Sequence, residues 1–279
     1  MKKNISLDKK ITQWLNAHNG WKTTLKICLM CLWVFASVVA AQFIIGIIMV
    51  SIFGREMVSR AVFVAVYSAI SYVVAGILII FVPVKFLSKW NISPHKKTSK
   101  DKKNSGVEII KKSRTEMGLS GWPTWTDIGL APVGFIVSLI LAAGLVALFS
   151  LFPWFDAEQV QDVGFSAYMA GADRIIAFLT LVIIAPIAEE IIFRGWLYGK
   201  IRNSLKWLPE WGCIALSVFI VSLLFGIMHF QWNVGVNVFC LSLVLCGLRE
   251  VTGTIYAGIL THMLKNGVAF YALYILGLG

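Results

Sequence analysis

Seven stretches of this sequence are apolar over roughly the length that a helix needs to cross a lipid bilayer. A transmembrane helix requires about 20 apolar residues, and the runs fall at 25–53, 60–87, 127–152, 174–199, 211–230, 234–249 and 254–277. Only 14% of the 279 residues are charged and 58% are hydrophobic, whereas soluble domains carry about 25% charged residues. We therefore predict an all-α fold, a polytopic transmembrane helix bundle of about seven spans, with eight as the alternative count.

The positive charge of the chain is concentrated beside the apolar runs. Of the 25 Lys and Arg residues that give a net charge of +11, six precede residue 27 and ten lie between Lys85 and Arg114. Basic clusters flanking spans are typical of cytoplasmic loops and attract anionic headgroups. This distribution predicts a lipid bilayer as partner, no nucleic acid, and a cytoplasmic N-terminus. The lysine-rich loops and short length favour a prokaryotic plasma membrane.

The chain divides at its polar segments. Residues 1–87 are predicted to form an N-terminal membrane hairpin, 88–125 a basic cytoplasmic loop, and 126–279 a catalytic transmembrane core. The five cysteines lie in or beside apolar stretches, and the lone CxxC of Cys28 and Cys31 is weak evidence for redox or metal chemistry. We interpret these cysteines as packing residues.

Two adjacent acids, Glu189 and Glu190, lie within a long apolar run, with Arg194 one helical turn beyond. A charge at bilayer depth costs at least about 2.5–3.5 kcal/mol and marks a candidate functional site. Glu190 and Arg194 are four residues apart, which is the spacing of an ion pair on one helix face. Glu189 points about 100° away and is free to face another partner.

Two histidines also lie in apolar runs, His229 in LSVFIVSLLFGIMHF and His262 in TIYAGILTHMLKNGVAF. His262 shares a helix face with Asn266, four residues on, and each side chain can donate to a developing oxyanion. Glu189 can hold a water and take its proton, and His229 can bond the same water. These roles together predict hydrolysis of an amide bond.

Other intramembrane protease mechanisms fit the sequence less well. The zinc signature HExxH and a pair of mid-span aspartates are absent from the sequence, and no GxSx motif places a serine nucleophile beside a histidine. A Glu/His/His zinc site stays chemically open, since catalytic zinc often takes three such ligands. Our prediction is a site without cofactor or metal, with the zinc protease as an alternative.

Three motifs occur in order: EEIIFR from Glu189 to Arg194, FGIMH from Phe225 to His229, and HMLKN from His262 to Asn266. Together they resemble the CPBP family, which includes the CAAX prenyl proteases of the eukaryotic ER and the bacterial Abi proteins of bacteriocin processing and immunity. The resemblance covers about residues 125–275. It implies an intramembrane glutamic endopeptidase of CPBP/Abi-type fold.

The resemblance also implies a role for each motif residue. Glu189 is implied as the base and His229 as the residue that places the water. His262 and Asn266 match the pair that stabilises the oxyanion, and Glu190 and Arg194 match the supporting pair. The implied partner is a peptide or protein substrate, either prenylated or membrane-associated. A non-catalytic immunity or scaffold protein is the alternative function.

The depths of the motif residues raise a geometric difficulty. Glu189 is 11 residues from Lys200, about 16 Å along a helix, whereas His229 is 19 residues from Glu210, about 28 Å. For these groups to meet, we expect the fifth span to start deep or tilt strongly, or the segment 200–210 to dip into the bilayer.

Overall fold

The computed structural model describes residues 20–58, 60–90, 114–157, 165 and 171–277, and within them every regular element is a helix. His18, His95 and most of the predicted basic loop fall outside these ranges. The seven long helices are α1 Gly20–Phe53, α2 Ala61–Trp90, α3 Trp125–Phe149, α4 Ala172–Ser204, α5 Glu210–Ile227, α6 Trp232–Thr252 and α7 Tyr256–Tyr274. A one-turn helix, Arg55–Val58, joins α1 to α2. The predicted all-α bundle is confirmed.

Six of these helices, α1 to α6, are long and apolar enough to cross a membrane by length and composition. In α2 the qualifying stretch is Ala61–Val82. The seventh predicted span exists as α7, with 19 residues, but it is not among the six. Its lower hydropathy has a clear origin, because His262, Lys265 and Asn266 lie within it. The six apolar helices show an integral, multi-pass membrane protein, and α7 carries part of the candidate site.

Helices α1 and α2 pack as an antiparallel hairpin. The indole Nε1 of Trp33 donates to the carbonyl of Leu78 at 3.3 Å, and the hydroxyl of Tyr67 donates to the carbonyl of Gln42 at 3.1 Å. These bonds satisfy polar groups that lipid could not satisfy. The hairpin also joins the main core, since Val34 packs in one buried cluster with residues of α4, α5 and α6.

The start of α3 is fixed by its own sequence. Thr124 and Asp127 form a reciprocal capping box, in which the Asp127 carboxylate accepts from the Thr124 backbone N–H at 2.7 Å. The Asp127 N–H in turn donates to the Thr124 hydroxyl at 3.3 Å. This cap satisfies helix N–H groups that would otherwise lack partners. It begins α3 at Trp125, close to the predicted residue 127.

Helix α4 contains both α-helical and π-helical segments. Segments of π-helix at Leu179–Ile184 and Ile191–Leu197 flank the α-helical turn Ala185–Glu190. In the first π segment the N–H of Ala185 bonds the carbonyl of Thr180, five residues back. Such π segments often mark functional sites because the extra residue redirects side chains. Glu189 and Glu190 are the last two residues of the α-helical turn that lies between the two π segments.

Candidate active site

Glu190 and Arg194 form the predicted ion pair in the interior of the bundle. Arg194 Nη1 lies 2.8 Å from Glu190 Oε1, and both side chains are fully buried. The guanidinium carbon of Arg194 also lies 4.5 Å from the centroid of the Phe225 ring, a cation–π arrangement. Glu190 is thus held through Oε1 by the Arg194 guanidinium, while its Oε2 is buried without a hydrogen-bond partner.

Glu189 points away from this pair, as the helical geometry predicts. Its Oε1 accepts a hydrogen bond from the Tyr72 hydroxyl at 2.6 Å. Its Oε2 lies 3.7 Å from His262 Nε2, and its side chain is 17% exposed. The two adjacent carboxylates therefore have different environments, one fully enclosed and one partly accessible.

His262 connects the two glutamates. Its Nδ1 lies 3.2 Å from Glu190 Oε1, while its Nε2 faces Glu189. Since an Arg194-paired carboxylate can only accept, Nδ1 is the donor in this contact. The bond fixes the tautomer and the ring orientation, leaving Nε2 directed at Glu189.

His229 lies in the turn that follows α5. Its Nδ1 donates to the carbonyl of Phe225 at 2.8 Å, because a carbonyl oxygen can only accept. The Phe225 ring lies 5.0 Å from the His229 ring and 5.9 Å from the His262 ring. His229 is also within electrostatic range of Glu189. Its Nε2 is left free to bond a water.

The contacts at the other end of α5 reduce the difference in depth between Glu189 and His229. The Cys213 thiol donates to the backbone carbonyl of Arg202 at 3.2 Å, whereas Glu210 contacts only the Arg202 guanidinium, at 3.6 Å, so we take Cys213 as the residue of α5 level with the Arg202 backbone. Glu189 is 13 residues from Arg202, about 20 Å along a helix. His229 is 16 residues from Cys213, about 24 Å. Side chains can span the remaining difference.

Asn266 contacts α4 rather than the two histidines. Its Nδ2 donates to the carbonyl of Leu181 at 2.9 Å. In the π register this carbonyl would accept from residue 186, five positions on, but Pro186 has no N–H. The proline thus leaves the Leu181 carbonyl without a backbone donor in this register, and the Asn266 side chain supplies one. One N–H of the Asn266 amide remains available to a substrate.

The side chains of the site do not form the ligand set of a metal centre in the described part of the chain. Among the residues that the structure describes, no group of three or more His, Cys, Asp or Glu side chains is arranged to hold a metal ion. The five cysteines are all free thiols. Two site nitrogens, His229 Nδ1 and His262 Nδ1, are already committed to protein acceptors.

Two residues of this site have no role that the sequence predicts. Phe225 begins the FGIMH motif, and its ring contacts Arg194, His229 and His262. Tyr72 lies in α2, 117 positions before Glu189. The only sequence feature that marks Tyr72 is its polar hydroxyl inside an apolar run. Tyr67 has the same feature, so the sequence does not distinguish the two tyrosines.

Comparisons with known proteins bear on the same region. Residues 171–268 match the family described as type II CAAX prenyl endopeptidase, Rce1-like. The match contains all six predicted site residues and excludes α1, α2 and α3. Comparison with curated proteins and with solved structures gave no match.

The family match confirms the resemblance that the three motifs carry, and the family implies a protease, a peptide hydrolase acting at the membrane. Residues 171–268 of this multi-pass membrane protein are thus similar to the type II CAAX prenyl endopeptidase family, Rce1-like.

Proposed function

We propose that the protein is an intramembrane glutamic endopeptidase in which Glu189 is the general base. The observation that carries this proposal is the difference between the two glutamates. Glu190 is fully buried against Arg194, whereas Glu189 is partly exposed and faces His262. A base must reach a water, and only the more accessible carboxylate can do so.

The water is held between Glu189 Oε2 and His229 Nε2. Glu189 takes one proton from it while the oxygen attacks the carbonyl carbon of the scissile peptide bond. The carbonyl oxygen becomes an oxyanion, which accepts hydrogen bonds from the second N–H of Asn266 and from His262 Nε2 when that nitrogen is protonated. Such donors are worth most where water is scarce. Glu189 then returns the proton to the leaving amine, and the C–N bond breaks.

The substrate is a peptide or protein segment that reaches the site from the cytoplasmic side or from the bilayer. A prenylated C-terminus is one such substrate class, and a membrane-associated bacterial peptide is the other. The N-terminus lies in the cytoplasm, consistent with the basic residues that precede residue 27. A prokaryotic plasma membrane is the location that the chain's composition favours.

The proposal is tested by measuring peptide cleavage with purified protein in detergent. Glu189→Gln and His229→Ala should each lower kcat at least about 100-fold, the usual contribution of a general base. Glu210→Gln is the matched control, because the Glu210 side chain is 84% exposed at the end of α5. Undiminished cleavage by both site variants would overturn the mechanism.

The alternatives give different outcomes in the same preparation. A zinc protease would lose activity with a chelator and regain it with zinc, whereas the glutamic mechanism predicts no change. A non-catalytic immunity or scaffold protein would keep its biological effect in the Glu189→Gln variant. The substrate itself is best sought by comparing membrane peptidomes from cells with the unmodified and the Glu189→Gln protein.

A further inference from the structure

Tyr72 supplies the shortest polar contact to Glu189, yet it lies outside the region that matches the protease family. Resting on the proposed function, we infer that Tyr72 is a positioning residue of the active site. Its hydroxyl fixes the Glu189 carboxylate so that Oε2 is the oxygen that accepts the proton from water. The hairpin α1–α2 is thereby part of the catalytic apparatus.

The geometry of the hydrogen bond supports this role. The Tyr72 oxygen lies 2.6 Å from Glu189 Oε1, within the range for an O–H group that donates to an ionised carboxylate. The terminal torsion of a glutamate is broad and roughly two-fold, so an unanchored carboxylate would exchange its two oxygens. The bond to Tyr72 occupies Oε1 and leaves Oε2 facing His262 Nε2 at 3.7 Å.

The hairpin contacts the opposite side of the site as well. Phe35 of α1 packs edge-to-face on Phe230, with ring centroids 5.9 Å apart. Phe230 directly follows His229 and adopts φ = 54°, the only positive φ of a non-glycine residue in the described chain. Such a backbone needs support from its surroundings. The hairpin therefore contacts both Glu189, through Tyr72, and the turn that carries His229, through Phe35.

The opposing interpretation is that Tyr72 merely fills space between α2 and α4. A structural tyrosine would be needed for its ring, whereas a positioning tyrosine is needed for its hydroxyl. Replacement by phenylalanine separates these cases because it removes only the hydroxyl. Tyr67→Phe is the matched control, since Tyr67 lies on the same helix and its hydroxyl bonds the Gln42 carbonyl, away from Glu189.

The experiment measures kcat and KM for peptide cleavage with unmodified protein, Tyr72→Phe, Tyr67→Phe and Glu189→Gln. Tyr72→Phe should lower kcat about 10- to 100-fold, the value of one hydrogen bond to a charged group, with KM changed less than about twofold. Tyr67→Phe should leave both constants unchanged.

The outcomes separate this inference from the proposed function. If Glu189→Gln is inactive but Tyr72→Phe cleaves at the unmodified rate, Tyr72 has no positioning role and the base assignment stands. If Glu189→Gln retains full activity, the proposed function itself fails. A loss of kcat in Tyr67→Phe equal to that in Tyr72→Phe would show a general effect of loosening the hairpin and would also overturn the inference.

Discussion

The side-chain amide of Asn266 donates to the backbone carbonyl of Leu181 at 2.9 Å. This bond replaces one that the backbone cannot make, because Ala185 bonds Thr180 and Pro186 has no N–H. A carbonyl without a partner is costly in a membrane interior. Asn266 therefore stabilises the π segment that precedes the glutamates, in addition to the role in oxyanion binding proposed above.

The first prediction concerns the coupling between Asn266 and Pro186. Asn266→Ala should lower the free energy of unfolding by about 1–3 kcal/mol, the cost of a buried polar group without a partner. Pro186→Ala restores an N–H that can reach the Leu181 carbonyl in the π register, five residues back. The double variant should therefore be more stable than Asn266→Ala alone, as measured by denaturant titration in detergent. Strictly additive effects would contradict the coupling.

The second prediction concerns the buried pair of Glu190 and Arg194. Removing one member leaves an uncompensated charge, so Arg194→Met should cost about 3–5 kcal/mol of unfolding free energy. The double variant Glu190→Gln with Arg194→Met removes both charges and should recover at least half of that loss. Unfolding of the single and double variants in one detergent gives the coupling energy. A double variant no more stable than Arg194→Met would show that the pair is not the source of the cost.

The local part of this site could be predicted from the sequence, and the long-range part could not. The pairing of Glu190 with Arg194 follows from helix geometry alone, since residues four apart share a face. The bond from Tyr72 to Glu189 depends on how two spans pack. Helices packed in lipid lack the polar-to-apolar contrast that marks the buried face of a soluble helix. The hydrophobic pattern thus predicts where the spans lie along the chain, but it does not predict which spans pack against each other.

The remaining differences also have physical causes. The sequence predicts that His229 lies deeper than Glu189 when Glu210 is taken as the inner boundary of α5. In the structure, Cys213 is the residue of α5 that bonds the Arg202 carbonyl. The loop between α4 and α5 is short, and its packing is not visible in the pattern of charges. Asn266 was assigned to the oxyanion from its spacing to His262, and its bond to Leu181 depends on a π register that spacing does not reveal.

The third prediction concerns Gly258, which faces the buried carboxylate. A Cβ at Gly258 would lie 3.1 Å from Glu190 Oε2, closer than usual C···O contacts of about 3.3–3.6 Å. Since Arg194 and His262 hold Glu190 in place, the methyl group must shift the carboxylate or the helix. Gly258→Ala should thus lower kcat, while helix propensity, worth up to about 1 kcal/mol, keeps the change in stability small.

The control for this prediction is Gly247→Ala, because nothing lies within 4 Å of a Cβ built at Gly247. That variant should cleave at the unmodified rate and unfold at the same or a slightly higher denaturant concentration. Equal activity of the two alanine variants would show that the Gly258 contact with Glu190 does not matter for catalysis.

The last prediction concerns the close approach of α5 and α6 at Gly226 and Gly235. A Cβ at Gly226 would lie 2.8 Å from the Gly235 carbonyl oxygen and 3.3 Å from Phe239 Cβ. The first of these is a backbone atom that cannot rotate away, so the two helices must separate. The turn that carries His229 connects them, and a shift there moves the His229 nitrogen that we propose binds the water relative to Glu189.

Gly226→Ala should therefore lower both stability and kcat, the former by about 1–3 kcal/mol, as overpacking of a tight interior does. Gly212→Ala on the same helix meets nothing within 4 Å and should change neither quantity. Because an active site tolerates displacements of only about 1 Å, kcat is expected to fall even at temperatures where Gly226→Ala stays fully folded. Full activity in the folded Gly226→Ala protein would mean that the position of the His229 turn does not limit the reaction.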